Sequence, residues 1–314
     1  MAKAALDPHM AEILRLGAEA NLAPFESMSA PAARAAAEER FAFWNEAHPE
    51  VKSVRELDIP GPAGKLHIRL YEPLGAPKQG PCVLFMHGGC WVYGSANTHD
   101  DFCRNLVRAS GMRFASLDYR TAPEHPFPAP LEDCVAALNR LVAHGADAGI
   151  DAKRVAISGD SAGANLALAT CLALRDRGEP MPRAAVLLYG VYSADDDTPS
   201  YRAYGGGDYV ISKPLLGWAW DQYVPDRSRR ADPLAAPLHA DLAGLPPIFV
   251  SAAEFDPLRD DSERLVARLV QSGVDVDYRL LRGMCHASTM MGRLLPAAQA
   301  QIAQVAEFLR SRMA

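Results

Sequence analysis

Several features are missing from this 314-residue chain, and each absence removes a class of function. Its six cysteines (Cys82, Cys90, Cys103, Cys134, Cys171 and Cys285) contain no C-x-x-C pair, and several fall inside apolar runs. Buried thiols are therefore expected, not a disulfide frame or a zinc knuckle. H-E-x-x-H, the P-loop and G-x-G-x-x-G are absent, which leaves metal-assisted hydrolysis and nucleotide binding without a motif. No cofactor and no metal are expected. Lys and Arg number 32 against 38 Asp and Glu, a formal charge of −6, and no basic cluster appears, so nucleic acid is not an expected partner. The longest apolar runs, around Val83–Met86 and Ala184–Tyr189, are strand-sized and far too short to span a bilayer. Asp7, Glu12 and Arg15 interrupt the apolar residues of the N-terminus, unlike a signal peptide, and a cytoplasmic location is expected. Self-association into a homo-oligomer is compatible with this composition.

What is present is enough apolar side chain, 49% of residues, to bury a large core. Leu6, Met10, Ile13 and Leu14, and later Phe41, Phe43 and Trp44, follow helical spacing, and Pro8, Pro24 and Pro31 break this region into short helices. Val51–Ile59 and Leu66–Tyr71 flank a Pro-Gly-Pro-Ala-Gly turn and read as an antiparallel hairpin. From Cys82 the rhythm changes. Strand-like runs at Val83–Met86, Arg113–Leu117, Val155–Ser158, Val186–Tyr189, Ile248–Ala252 and Val276–Leu281 alternate with helical stretches near Thr98–Ser110, Leu131–His144, Ala162–Arg177, Leu258–Ser272 and Pro296–Arg310. Such alternation predicts an α/β fold, a mostly parallel central sheet with helices on both faces and its active site at the carboxyl ends of the strands. Residues 192–237 break the pattern with Asp195-Asp196-Asp197, three glycines (Gly205, Gly206, Gly207) and the aromatics Trp218, Trp220 and Tyr223. Together with residues 1–50 they are expected to form a helical cap over a catalytic domain of residues 51–314. The acidic triplet reads as a solvated loop. Phe41, Phe43, Trp44, Trp218 and Trp220 are candidates for an apolar pocket or for core.

The chemistry centres on Gly159-Asp160-Ser161-Ala162-Gly163, where a β-branched run turns abruptly into a small-residue helix. This is the G-x-S-x-G elbow, which holds a serine Oγ clear of the backbone at a helix N-terminus. By composition alone the bare pattern is expected about 0.1 times in a chain of this length, so its neighbours must decide. His87-Gly88-Gly89-Cys90-Trp91 follows the Val83–Met86 strand, and glycines at a strand end allow backbone N–H groups to point into a cleft as an oxyanion hole requires. Among nine histidines, His87 is expected to shape the glycine loop, His99 to cap a helix and His125 to pack in a loop. His9, His48, His67, His144 and His239 have no chemical neighbours in the chain. His286 lies just past the last strand, where the order serine, acid, histidine requires the base. The acid that orients it follows the Ile248–Ala252 strand: Asp256 is favoured over Glu254 and Asp260, although aspartate before proline is also a good helix cap.

Four blocks together resemble the hormone-sensitive-lipase-like carboxylesterases of the α/β-hydrolase superfamily over nearly the whole chain. His87–Trp91 is similar to their H-G-G-G-W, Asp118–Pro128 to D-Y-R-L-A-P-E-H-x-F-P, Gly159–Gly163 to G-D-S-A-G, and Asp256–Asp260 to D-P-L-x-D. The resemblance implies an α/β-hydrolase with a catalytic triad of Ser161, Asp256 and His286. The implied oxyanion donors are backbone amides of Gly88, Gly89, Cys90 and Ala162, and the implied substrate is a small-molecule ester of a short or medium acid. It implies a structural role for Asp118–Pro128. Cys90 departs from the third glycine, Tyr189-Gly190 from the usual Tyr-Pro, and Ala287-Ser288 from Gly-Phe after the histidine; these bear on substrate range. H-G-G-x-W with S-A-G-A also resembles arylformamidases of the same superfamily, and the gibberellin receptors resemble these esterases without the catalytic histidine. An amide hydrolase and a non-catalytic binding protein are the alternatives. Cys90 and Cys285 are expected on loops that converge on one cleft.

Overall fold

The computed structural model describes residues 5–314. Its strands are β1 (Ser53–Gly61), β2 (Gly64–Glu72), β3 (Gly80–Met86), β4 (Arg113–Asp118), β5 (Ile150–Asp160), β6 (Ala185–Leu188), β7 (Ile248–Phe255) and β8 (Val276–Cys285). They form one sheet in the order β1-β2-β4-β3-β5-β6-β7-β8. β1 and β2 pair antiparallel across a tight turn with Gly61 opposite Gly64, and β2 lies antiparallel to β4. Every pair from β4 to β8 is parallel. The helices are α1 (Pro8–Ala20), α2 (Ala30–Ala42), α3 (Asp100–Ser110), α4 (Ala129–His144), α5 (Ala162–Arg177), α6 (Pro199–Tyr204), α7 (Lys213–Tyr223), α8 (Arg259–Gln271) and α9 (Ala297–Met313).

Side chains that alternate along each strand go to two separate cores, as a period of two requires. Leu84, Met86, Leu117, Ile157, Leu187 and Val250 face one way and pack with Leu138 of α4, Leu168 of α5 and Leu265 of α8. Val83, Phe85, Phe114, Ala156, Val186 and Phe249 face the other way and meet Leu106 of α3 and Val305 of α9. A sheet covered on both faces explains why the central strands read as unbroken apolar runs. α5 is buried from Ala162 through Leu174, which explains its small residues: a helix packed on all sides has no polar face.

The N-terminal helices and the excursion after β6 meet above the carboxyl ends of the strands. Phe25 stacks on Tyr93 with ring centroids 4.4 Å apart, and Ser212 Oγ donates to Glu26 Oε1 at 3.2 Å. Arg34 of α2 donates through Nε to Val92 O and through Nη2 to Ala122 O, both at 2.8 Å. Of the aromatics named as pocket or core, Trp220 belongs to the core, packed against Trp91 at 5.0 Å. Phe43 is largely exposed under the Arg293 guanidinium. Only Phe41 of that set reaches the cavity described below.

One buried acid anchors the start of the excursion. Asp261 of α8 accepts the N–H groups of Tyr192 and Ser193 at 2.9 and 3.0 Å. Burial nevertheless pushes its carboxyl up to about 7, because desolvation of the charge outweighs two backbone donors. Between the ordinary carboxylate range and about 7 the folded chain holds a proton that the unfolded chain releases. Its contribution is therefore complete below about pH 4 and is lost as pH rises through 7. Urea denaturation of wild type and Asp261→Asn should give a stability difference that shifts toward the variant from pH 5 to pH 8, by at most about 1.4 kcal/mol per pH unit. A difference independent of pH would show that Asp261 does not titrate in this range.

Candidate active site

β5 runs into α5 through the elbow, and two close approaches dictate its glycines. A Cβ on Gly159 would lie 2.3 Å from the Gly163 backbone, and one on Gly163 would lie 2.0 Å from Met86 O. Only hydrogen fits at either position. Between them Ser161 takes φ 53° and ψ −119°, a conformation strained for any residue with a Cβ. The surroundings hold it there: Ser161 N–H donates to Leu188 O at 2.9 Å, and Ser161 O accepts from Ala164 and Asn165. Asn165 in turn donates to Val191 O and Ala235 O at 2.9 and 2.8 Å.

Ser161, Asp256 and His286 come together from the carboxyl ends of β5, β7 and β8. His286 Nε2 lies 3.0 Å from Ser161 Oγ, and its Nδ1 lies 2.7 Å from Asp256 Oδ2. The other Asp256 oxygen accepts Leu258 N–H at 2.8 Å, so the carboxylate is fixed from both sides. Asp256 and His286 are 1% and 5% exposed, which shields their contact from water. The rival acids are engaged elsewhere. Glu254 accepts Gly283 N–H at 2.8 Å and thereby ties the end of β7 to the strand that carries His286. Asp260 accepts Ser200 N–H at 2.9 Å. The Tyr189 ring, set by a backbone φ of 38°, meets the His286 imidazole edge-on at 5.0 Å.

The glycine loop lies beside the serine, but its four expected donors are not equivalent. Gly88 N–H is spent on Asp160 Oδ1 at 2.8 Å, which corrects the expectation that it serves an oxyanion. Among the described residues no acceptor pairs with the N–H of Gly89, Cys90 or Ala162. The loop is bent by left-handed backbone at Cys90 and Trp91, φ 58° and 59°, and closed by Tyr93 N–H on Gly89 O at 2.9 Å. His87 shapes it as expected: Nδ1 lies 2.8 Å from Gly88 O, and the ring stacks on Tyr119 at 4.3 Å. Burial and the nearby His99 hold the His87 imidazole below its ordinary range, in the neutral form. Tyr119 donates to His87 O at 2.8 Å and Asp118 accepts Ala96 N–H at 2.7 Å, a structural use of the Asp118–Pro128 block.

Sequence reasoning missed a second pairing. His99 is the N-cap residue of α3 but caps nothing with its side chain; instead its Nε2 lies 3.2 Å from Asp160 Oδ1. The signal in the chain was Asp160 itself, an acid next to the nucleophile that needed a partner once buried. Elsewhere, His48, Asp100 and Asp101 are grouped closely enough to suggest a metal site. Their oxygens are already taken: Asp101 accepts Ala47 and His48 N–H, and Asp100 accepts Tyr71 Oη and Arg104 Nε.

Ser161 and His286 open into a cavity of about 110 Å³. Phe25, Phe41, Tyr93, Ile211 and Met290 contribute to its walls, so both the N-terminal segment and the later excursion roof it. Cys90 lines it, whereas Cys285 is fully buried and does not border it.

A sheet of this topology, with a serine on an elbow and a histidine and an acid on later strand ends, defines an α/β-hydrolase. Residues 83–290 match the family model for the α/β-hydrolase fold, and the chain belongs to that family, within its hormone-sensitive-lipase-like carboxylesterases. It is 40% identical over 242 residues to the carboxylic ester hydrolase LipN of Mycobacterium tuberculosis, a match covering 74% of this chain and 63% of that protein. It is 33% identical to an ethyl acetate hydrolase of Pseudomonas putida, over 98% of this chain and 99% of that one. The solved structure of an ester hydrolase from the Lake Arreo metagenome superimposes with a TM-score of 0.94 at 33% identity, over 98% of both chains. No helix among the described residues is long and apolar enough to cross a membrane.

All six cysteines are unpaired and buried. Burial pushes the thiols of Cys82, Cys90, Cys171 and Cys285 up to about 12, and those of Cys103 and Cys134 well above their ordinary range. Thiolate, not thiol, is the reactive form. A small maleimide at pH 7 is therefore expected to leave the native protein unlabelled while modifying all six cysteines in urea, as read by intact mass. Rapid native labelling at Cys90 would show that the cavity wall opens more than this structure does.

Proposed function

We propose that this protein hydrolyses carboxylic esters of short to medium acyl chains by nucleophilic catalysis at Ser161. The observation that carries the reading is the unbroken chain from Asp256 through His286 to Ser161 Oγ, at 2.7 and 3.0 Å, beside amides with no other acceptor. His286 takes the serine proton as Oγ attacks the ester carbonyl, and Asp256 orients the ring and stabilises its charged form. The amides of Gly89, Cys90 and Ala162 stabilise the oxyanion at the N-terminus of α5; the loss of one such donor typically raises the barrier by about 3 kcal/mol. As the intermediate collapses, His286 gives its proton to the leaving oxygen, which releases the alcohol and leaves an acyl group on Ser161. Water activated by His286 then attacks the acyl carbonyl and frees the acid.

The small cavity and the ethyl acetate hydrolase among the relatives favour short acyl groups. The cap comprises residues 1–50, of which 1–4 lie outside the described residues, and roughly 192–237, inserted in a catalytic domain of residues 51–314. Free, buried thiols suit a reducing compartment and support a cytoplasmic location. The histidine within reach of the serine supports turnover over the binding-protein alternative. The esterase relatives favour esters over N-formyl amines, and direct comparison of the two substrate types separates them.

With p-nitrophenyl esters from acetate to decanoate, turnover should be highest for the shortest chains and fall beyond the length the cavity accepts. Ser161→Ala should be inactive while keeping the wild-type circular dichroism. Asp256→Asn should lose about four orders of magnitude in kcat, the cost of a misoriented imidazole in this kind of triad. Near-normal turnover in Ser161→Ala would refute the nucleophile, and a profile rising toward decanoate would refute the short-chain preference.

A further inference from the structure

The residue immediately before the nucleophile is an acid, Asp160, which is 2% exposed and lines the same cavity. Its carboxylate has two opposed effects. By accepting Gly88 N–H at 2.8 Å it pins the glycine loop and leaves the following two amides free. By its charge it opposes the negative oxygen that those amides are there to stabilise. A group that offsets this charge without occupying the oxyanion position would keep the first effect and suppress the second.

His99 has the required placement. It is 3% exposed, its Nε2 lies 3.2 Å from Asp160 Oδ1, and at that angle Nε2 has no hydrogen-bond partner among the described residues. The rings of Phe41 and Phe85 pack against it at 6.5 and 5.8 Å, and like Asp160 it borders the cavity. His87 is the other titratable ring beside it, at 5.8 Å. The Thr98 hydroxyl has one proton and two acceptors in reach, Ser95 O at 2.9 Å and His99 Nδ1 at 2.8 Å. When the hydroxyl proton goes to Nδ1, the ring's own proton is on Nε2, the nitrogen 3.2 Å from the carboxylate.

We propose that His99 is a positioning residue that balances the charge of Asp160 as the oxyanion forms, acting through Asp160. This rests on the ester-hydrolase reading above. No proton changes hands; the Nε2–H is drawn onto Asp160 and withdraws its charge from the oxyanion.

Steady-state kinetics with p-nitrophenyl acetate test this in a mutant cycle. His99→Phe should lower kcat about 10- to 100-fold with KM within about threefold, less than the loss of a direct oxyanion donor. His99→Gln, which keeps an N–H donor, should stay within about fivefold of wild type. Adding Asp160→Asn to His99→Phe should raise kcat again, because Asn still accepts Gly88 N–H but carries no charge. A merely structural histidine would predict further loss. His99→Phe with wild-type kcat, or a double variant no faster than His99→Phe, overturns the inference. If His99→Phe does not fold, His99→Asn, too short to reach the carboxylate, replaces it in the same cycle. Wild type without esterase activity would overturn this inference and the proposed function together; an active wild type with either contrary result overturns this one alone.

Discussion

The cleft depends on how closely the first turn of α5 is pressed against the end of β3. A Cβ on Gly163 would sit 2.0 Å from Met86 O, so the helix N-terminus and the strand end touch through backbone alone. That contact brings the Ala162 amide, at the start of α5, beside the loop that leaves β3 at His87. It also leaves Ser161 no relaxed conformation, and the strained φ of 53° is sustained by backbone hydrogen bonds on both sides of the residue. The strain is local. Its compensation is spread through the central sheet and a helix buried on every side.

Around this contact the carboxylates divide the labour. Asp256 is held by Leu258 N–H and faces His286. Glu254, two residues earlier, fastens β8 through Gly283 N–H. Asp160 fastens the glycine loop through Gly88 N–H, and Asp261 fastens the start of the cap excursion through Tyr192 and Ser193. In each case a buried oxygen accepts a backbone N–H, the arrangement that makes an interior carboxylate tolerable. These acids join strand ends and loops that lie far apart in the chain, and so hold the functional loops in one place.

The N-terminal helices and the excursion after β6 reach this frame from two directions. Phe25 stacks on Tyr93 of the glycine loop, Ser212 on Glu26 connects the N-terminal segment to the excursion, and both segments contribute walls to the cavity. Cys90 brings a side chain into the oxyanion loop itself. Its left-handed backbone is a conformation that glycine adopts without cost and cysteine does not; the thiol thereby becomes part of the cavity wall.

Much of this was legible in the chain alone, for a physical reason. A parallel sheet covered on both faces forces unbroken apolar strands, so β3 to β8 and their intervening helices could be read in order. The elbow demands glycine on either side of Ser161, and a strand-end base must follow in a fixed order, which singled out His286. Local pattern could not say where backbone amides send their hydrogen bonds. Gly88 was grouped with Gly89 and Cys90 because all three stand in one loop, yet only the approach of Asp160, 72 positions along, removes it from the donors. His99 read as a cap because it begins a helix, and its contact with the same carboxylate exists only once the start of α3 meets the end of β5. Trp220 offered an aromatic surface that would suit pocket or core, and its burial against Trp91 assigns it to the core. Residue type and spacing determine which chemistry is available; pairings between distant polar groups are decided by tertiary packing, because burial makes each such group find whichever partner the fold brings near.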